Sequence, residues 1–262
     1  MNEKSKTVSL VLGSGGARGL AHIGVIDVLE ERGFEITSIA GCSVGALVGG
    51  VYAAGKLREY EKWVRELTKF DMVNLMDIAW VGGGLVKGDK IINKMIKLVG
   101  DRKIEDLPIS FTAVATELES GREVWLSEGP LFDAIRSSCS LPLFFTPTRY
   151  KEKMLVDGGV VNPVPIAPVF HDNTDLTIAV NLGGRPTKET AFERKKDVGA
   201  YEVAYFVFDA MQNTIARQKL AAYPPDLVID IPRDAARTFD IDRADEMIRI
   251  GRQAAEEALD TL

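Results

Sequence analysis

Histidine and cysteine are scarce in this chain of 262 residues, with two of each. Cys42 and Cys139 allow at most one disulfide and form no C-x-x-C pair, so reduced thiols are expected and a cysteine-built metal or redox centre is not. A surplus of basic residues is also missing. The net charge is -6, which argues against general affinity for nucleic acid or for anionic lipid surfaces and leaves only local, apolar contact with a membrane surface. No apolar run is long enough to span a bilayer, and the opening MNEKSKTVSLVLGSGG has too short an apolar stretch for a signal peptide. The expectation is a cytoplasmic protein that can sit peripherally at a membrane. Internal repeats and low-complexity tracts are absent as well, and a composition of 46% hydrophobic and 27% charged residues fits one globular α/β domain over 1–262.

What is present reads as alternating strands and helices. Thr7 to Leu12 (TVSLVL) is a buried strand that runs into Gly13-Ser14-Gly15-Gly16, and Leu20, Ile23, Gly24 and Val28 then recur at helical spacing up to a stop at Gly33. Phe34 to Ala40 gives a second strand, followed by a turn at Ser43 and a helix from Val44 to about Ala54. Such an order begins a mostly parallel sheet with crossover helices, a three-layer α/β/α fold. Tyr60, Trp63, Val64 and Leu67 form the apolar stripe of a third helix. Phe70 to Gly88 mixes Met72, Leu75, Met76, Ile78 and Trp80 with three glycines and little regular period, which suits a flexible apolar flap or core packing beneath a long loop. Ser110 to Leu118 and Arg122 to Leu126 pair across a turn, Lys153 to Val156 and Leu176 to Val180 are strands, and Gly183 to Lys196 is an exposed loop. A helix over about Val198 to Leu220, a strand at Leu227 to Ile231 and a last helix carrying Met247, Ile248, Gly251, Ala255 and Ala258 complete the chain.

Gly41-Cys42-Ser43-Val44-Gly45 is a G-x-S-x-G, the spacing at which glycines on both sides leave room for a strained turn that exposes a serine hydroxyl. Alone, it equally suits a small-residue turn that brings a helix close to a sheet. Acyl transfer also needs a base and fixed donors for an oxyanion. The loop Gly13-Ser14-Gly15-Gly16-Ala17-Arg18-Gly19 can turn consecutive N–H groups toward one point at a helix start. A dinucleotide fingerprint fails because Arg18 stands at its third glycine, and a P-loop fails for want of Gly-Lys-Ser/Thr. The loop and the Ser43 turn both follow the carboxyl ends of their strands and can share one crevice. For the base, Met154-Leu155-Val156 delivers Asp157 to a glycine turn, though Asp-Gly is also a common hairpin signal. The order Ser43, Asp157, His171 is formally that of an α/β-hydrolase triad, but only two strands precede Ser43 and His171 lies in a polar bend. His22 is expected to pack or to bond the backbone.

Four separated stretches resemble the patatin-like phospholipases, a family that includes the catalytic domain of neuropathy target esterase. They are Gly15-Gly16-Ala17-Arg18-Gly19, Gly41 to Gly45, Arg136-Ser137-Ser138-Cys139-Ser140-Leu141-Pro142, and Asp157-Gly158-Gly159 followed by Asn162-Pro163-Val164, all within the core region 7–170. The resemblance implies a Ser-Asp dyad that needs no histidine, with Ser43 as nucleophile and Asp157 as proton acceptor. It also implies oxyanion donors at Gly15, Gly16 and Ala17 with Arg18 nearby, a lipid ester substrate, and no metal or organic cofactor. Ser14 departs from the family pattern, which usually has a glycine there. Two other readings remain open at this point: a triad esterase using His171, and a non-catalytic lipid- or nucleotide-binding module built on the glycine loop.

Overall fold

The computed structural model describes residues 5–75, 86–187, 199–238 and 240–262. In chain order the elements begin with β1 (Thr7–Leu12), a 3-10 turn at Gly16–Leu20, α1 (Ala21–Glu31), β2 (Glu35–Cys42), α2 (Val44–Ala53), α3 (Leu57–Glu66), α4 (Lys69–Leu75) and α5 (Asp89–Val99). Then come β3 (Ser110–Glu117), β4 (Glu123–Leu126), α6 (Leu131–Ser138), β5 (Thr148–Tyr150), β6 (Lys153–Asp157), β7 (Leu176–Gly184), α7 (Ala200–Ala222), β8 (Leu227–Pro232) and α8 (Ala244–Leu259). The expected βαβ start is present, and the β3–β4 hairpin forms in antiparallel register. Helices α5 and α6 and the short strand β5 lie where the sequence reading has none.

The strands form one eight-stranded sheet along the path β5-β6-β3-β2-β1-β7-β8, with β4 also on β3. Strands β1, β2, β3, β7 and β8 are parallel, which is the expected mostly parallel arrangement. Side chains alternate between its two faces. Val8, Leu10 and Leu12, Ile39, and Ile178, Val180 and Leu182 enter a large core that also takes in buried residues of α1, α2 and α8. Their neighbours Val11, Ala40 and Ala179 are smaller and meet Val164, Ile166 and Val169 with Ala216 and Leu220 of α7. One face is therefore thickly covered and the other thinly, which completes three layers.

Where the sequence suggests a flap over 70–88, the first residues are helical in α4 and Val86 forms a bridge with Phe145. Residues 76–85 lie outside the described residues. Gly183 and Gly184 of the expected exposed loop belong to β7, and 188–198 lie outside the described residues. Among those described, no helix is long and apolar enough to cross a membrane.

Candidate active site

The register around β3 explains why two residues 114 positions apart can meet. Ala113 pairs with Gly41 on one side and Leu126 on the other, while Ala115 pairs with Asp157 and Val124. Strands β2 and β6 therefore lie on the same side of β3, running in opposite directions and ending head to head. Ser43 follows the last residue of β2, and Asp157 is the last residue of β6. The Ser43 hydroxyl donates to Asp157 Oδ2 at 2.5 Å.

Ser43 sits at φ 55°, ψ −125°, a conformation that costs a residue with a Cβ on the order of 1–3 kcal/mol. Its surroundings hold it there. Its N–H donates to Ser138 Oγ at 2.9 Å, the Ser138 hydroxyl donates to the Val114 carbonyl at 2.6 Å, and the Cys139 thiol donates to the Ser43 carbonyl at 3.1 Å. A Cβ on Gly45 would stand 2.1 Å from the Leu12 carbonyl oxygen, so glycine is required for α2 to start this close to β1. Ser138 and Cys139 belong to one of the four resembling stretches, but their bracing role depends on contacts nearly a hundred residues away.

Asp157 is fully buried. Burial lifts its carboxyl from the ordinary 3.8 to about 6, against the hydrogen bonds from the Ser43 hydroxyl and the Gly159 N–H, which favour the charged form. The Gly159 N–H donates to Oδ1 at 2.7 Å, leaving Oδ2 to the serine. Thr116 adds a brace by donating its hydroxyl to the Asp157 carbonyl at 2.9 Å.

The glycine loop faces this pair across a cleft of about 40 Å³ lined by Ser43, Ser14, Gly15, Gly16, Leu141 and Phe208, among others. Gly13 and Ser14 N–H groups donate to the Val180 and Pro163 carbonyls, which ties the loop to β7 and to the thinly covered face. Gly15 and Gly16 keep their N–H groups without an acceptor among the described residues, and Gly16 needs its φ of +59° to present this edge. Ala17 departs from expectation. Its N–H donates to the Thr238 carbonyl at 2.8 Å, so the turn into the 3-10 segment withdraws it from the free donors. Arg18 lies beside the loop and lines the same cleft, with its guanidinium engaged: it donates to the Arg233 carbonyl at 2.8 Å and pairs with Asp209 of α7 at 3.2 Å.

Neither histidine bonds Ser43 or Asp157 among the described residues. His22 Nε2 is 2.9 Å from the Gly13 carbonyl, to which it donates as the neutral tautomer, since complete burial lowers its pKa to about 4. It steadies the start of the glycine loop. His171 is exposed and precedes β7, where Asp172 and Thr174 bond Ser9 and Asp175 bonds Thr7. These are the amino-terminal ends of parallel strands whose carboxyl ends carry the cleft, a span of about 15–20 Å for strands of this length. Among the described residues, no group of three or more His, Cys, Asp or Glu could hold a metal ion.

Residues 10–170 match the family model described as patatin-like phospholipase. An uncharacterised NTE family protein of Mycobacterium tuberculosis is 36% identical over 98% of this chain and 92% of its own length. The lysophospholipase NTE1 of Coccidioides immitis is 28% identical over 98% of this chain, which spans 18% of that much longer protein. In fold, VipD from Legionella pneumophila aligns with a TM-score of 0.59 at 16% identity, over 99% of this chain and 67% of its own.

Proposed function

The chain belongs to the patatin-like phospholipase family, and from that premise we propose that it is a serine acyl hydrolase of lipid esters, acting on lysophospholipids, phospholipids or acylglycerols. One observation carries the reading: a serine in a strained strand-to-helix turn donates a 2.5 Å hydrogen bond to a fully buried carboxylate. The family match and the relatives named lysophospholipase support the substrate class.

In this mechanism Ser43 Oγ attacks the ester carbonyl carbon while its proton passes to Asp157 Oδ2. The carbonyl electron pair moves onto oxygen, and the unspent N–H groups of Gly15 and Gly16 stabilise the resulting oxyanion. As the oxyanion collapses, the bond to the leaving alkoxide breaks and Asp157 returns the proton to it, leaving an acyl-serine. Water then attacks the acyl-serine with Asp157 again accepting the proton, and release of the fatty acid restores the dyad. A carboxylate of ordinary acidity would be a weak base for serine; burial brings Asp157 to about 6, closer to working pH, where general-base transfer is efficient.

A fluorophosphonate probe followed by peptide mapping tests the reading. The expected result is a single adduct on Ser43 that disappears in Ser43→Ala. A folded chain that takes up no probe while binding lipid would favour the non-catalytic module instead.

A further inference from the structure

Helix α7 packs Ala216 and Leu220 inward near its end but carries an apolar stripe outward before them. A helix on a protein surface normally turns its apolar stripe inward, yet around the middle of α7 three inward side chains are polar: Asp209 pairs with Arg18, Gln212 donates to the Ser14 hydroxyl at 3.3 Å, and Asn213 bonds Asp209 at 3.0 Å. The outward stripe is apolar, with Val203, Val207 and Met211 at helical spacing and 48%, 53% and 55% exposed. The inner face is explained by the site it lines, since Phe208, Asp209 and Gln212 form part of the cleft wall. Among the described residues, none explains the outer one.

A second rim of the same cleft repeats the anomaly. Leu141 lines the cleft, and two residues on Leu143 holds a left-handed backbone at φ 71° with its side chain 51% exposed. Leucine gains nothing from either condition in water: the backbone is strained and the side chain is not buried. The cleft between the rims, about 40 Å³, is far below the several hundred Å³ usual for a site that encloses an organic ligand. A cleft of this size favours an acyl chain that lies largely outside it, in an apolar medium at the mouth.

We propose that the outer face of α7 (Val203, Val207, Met211) together with Leu143 is the surface by which this protein docks on an uncharged or zwitterionic lipid aggregate, with the cleft opening onto it. The inference rests on the acyl-hydrolase reading above for what passes into the cleft. Its partner follows from chemistry: with a net charge of -6 the attraction is apolar, so docking is insensitive to salt.

The test compares wild-type protein, the double variant Val207→Gln/Met211→Gln and, separately, Leu143→Gly, which relieves the left-handed backbone while removing the side chain. Sedimentation with phosphatidylcholine vesicles is measured at low salt and at about 0.5 M salt, where surface charges are screened within a few Å. Turnover of a soluble short-chain p-nitrophenyl ester and of vesicle-dispersed lysophospholipid is followed in parallel, with oligomeric state by light scattering. The wild type should bind vesicles equally at both salts, and the double variant should bind roughly tenfold more weakly or worse. Both variants should keep soluble-ester turnover within about twofold while losing vesicle turnover, since the substituted side chains stay clear of the reacting atoms. Vesicle binding by the double variant at the wild-type level overturns the proposal. So does a wild-type dimer that the double variant dissociates, which would mean that a second copy covers this face. If no ester of either kind is cleaved yet vesicle binding is lost in the variants, the hydrolase reading fails and the docking surface stands.

Discussion

In the proposed mechanism the buried Asp157 carboxylate has to ionise, and that should leave a thermodynamic signature. Its carboxyl is raised in the folded chain from 3.8 to about 6, so between these values the folded state holds a proton that the unfolded state has lost. The sign follows: the favourable contribution is fully present below the unfolded value and is lost as pH rises through the folded one, a change of up to about 3 kcal/mol. Activity runs the other way, because only the ionised form accepts the serine proton. Asp157→Asn should therefore lower turnover by about 10²- to 10⁴-fold and raise the melting temperature relative to wild type at about pH 8 but not at about pH 4. Thermal melts at the two pH values read this directly, and a variant destabilised equally at both would mean that the carboxylate is held by hydrogen bonds rather than strained by burial.

At the scale of elements, the cleft is assembled from turns that other segments pin in position. The 3-10 turn after β1 is held by Thr238 through the Ala17 N–H, by Asp209 and Arg233 through Arg18, and by His22 through the Gly13 carbonyl. Gly16→Ala would need a Cβ at positive φ only 2.7–2.9 Å from the side chain and backbone of Thr238, so the strap that holds Ala17 must move. The expected outcome is a fall in kcat of about 10²- to 10³-fold with KM little changed, the pattern of a lost transition-state donor. Steady-state kinetics on a soluble ester check it, and equal losses in kcat and KM would make the loop a substrate-positioning device. What could be read from sequence follows the same division. Elements such as β1 and α1 are legible because burial selects their apolar residues, α7 because apolar residues recur at helical spacing on whichever face they lie, and Ser43 and Asp157 because their glycine neighbours mark strand-end turns. Strand β5 has three residues and no stripe, and Arg136 of α6 lay inside a recognisable motif whose helix was not visible. The resemblance implies a donor at Ala17, and the sequence gives no sign that its N–H is taken by Thr238, 221 residues away.

At the scale of the whole molecule, sheet polarity supports one of the two enzyme readings over the other. Because β1, β2 and β7 are parallel, everything that follows a carboxyl end gathers on one rim, and everything that precedes an amino end gathers on the other. Ser43 and the glycine loop belong to the first rim and His171 to the second, so no rotation of its side chain brings the imidazole to the serine. The pH profile alone would not reveal this. With Asp157 lifted to about 6, its acid limb falls close to the ordinary histidine value of about 6.5, and a carboxylate dyad would pass for a triad. Substitution separates them. His171→Gln should leave kcat/KM for a soluble ester within about twofold of wild type across the whole profile, whereas loss of a true general base would remove about 10²- to 10⁴-fold. His22→Gln should retain the acid limb at an unchanged pH while lowering its plateau, because His22 reaches the reaction only through the Gly13 carbonyl and the loop that follows it. An acid limb that vanishes in either variant would return the proton to an imidazole and dissolve the dyad.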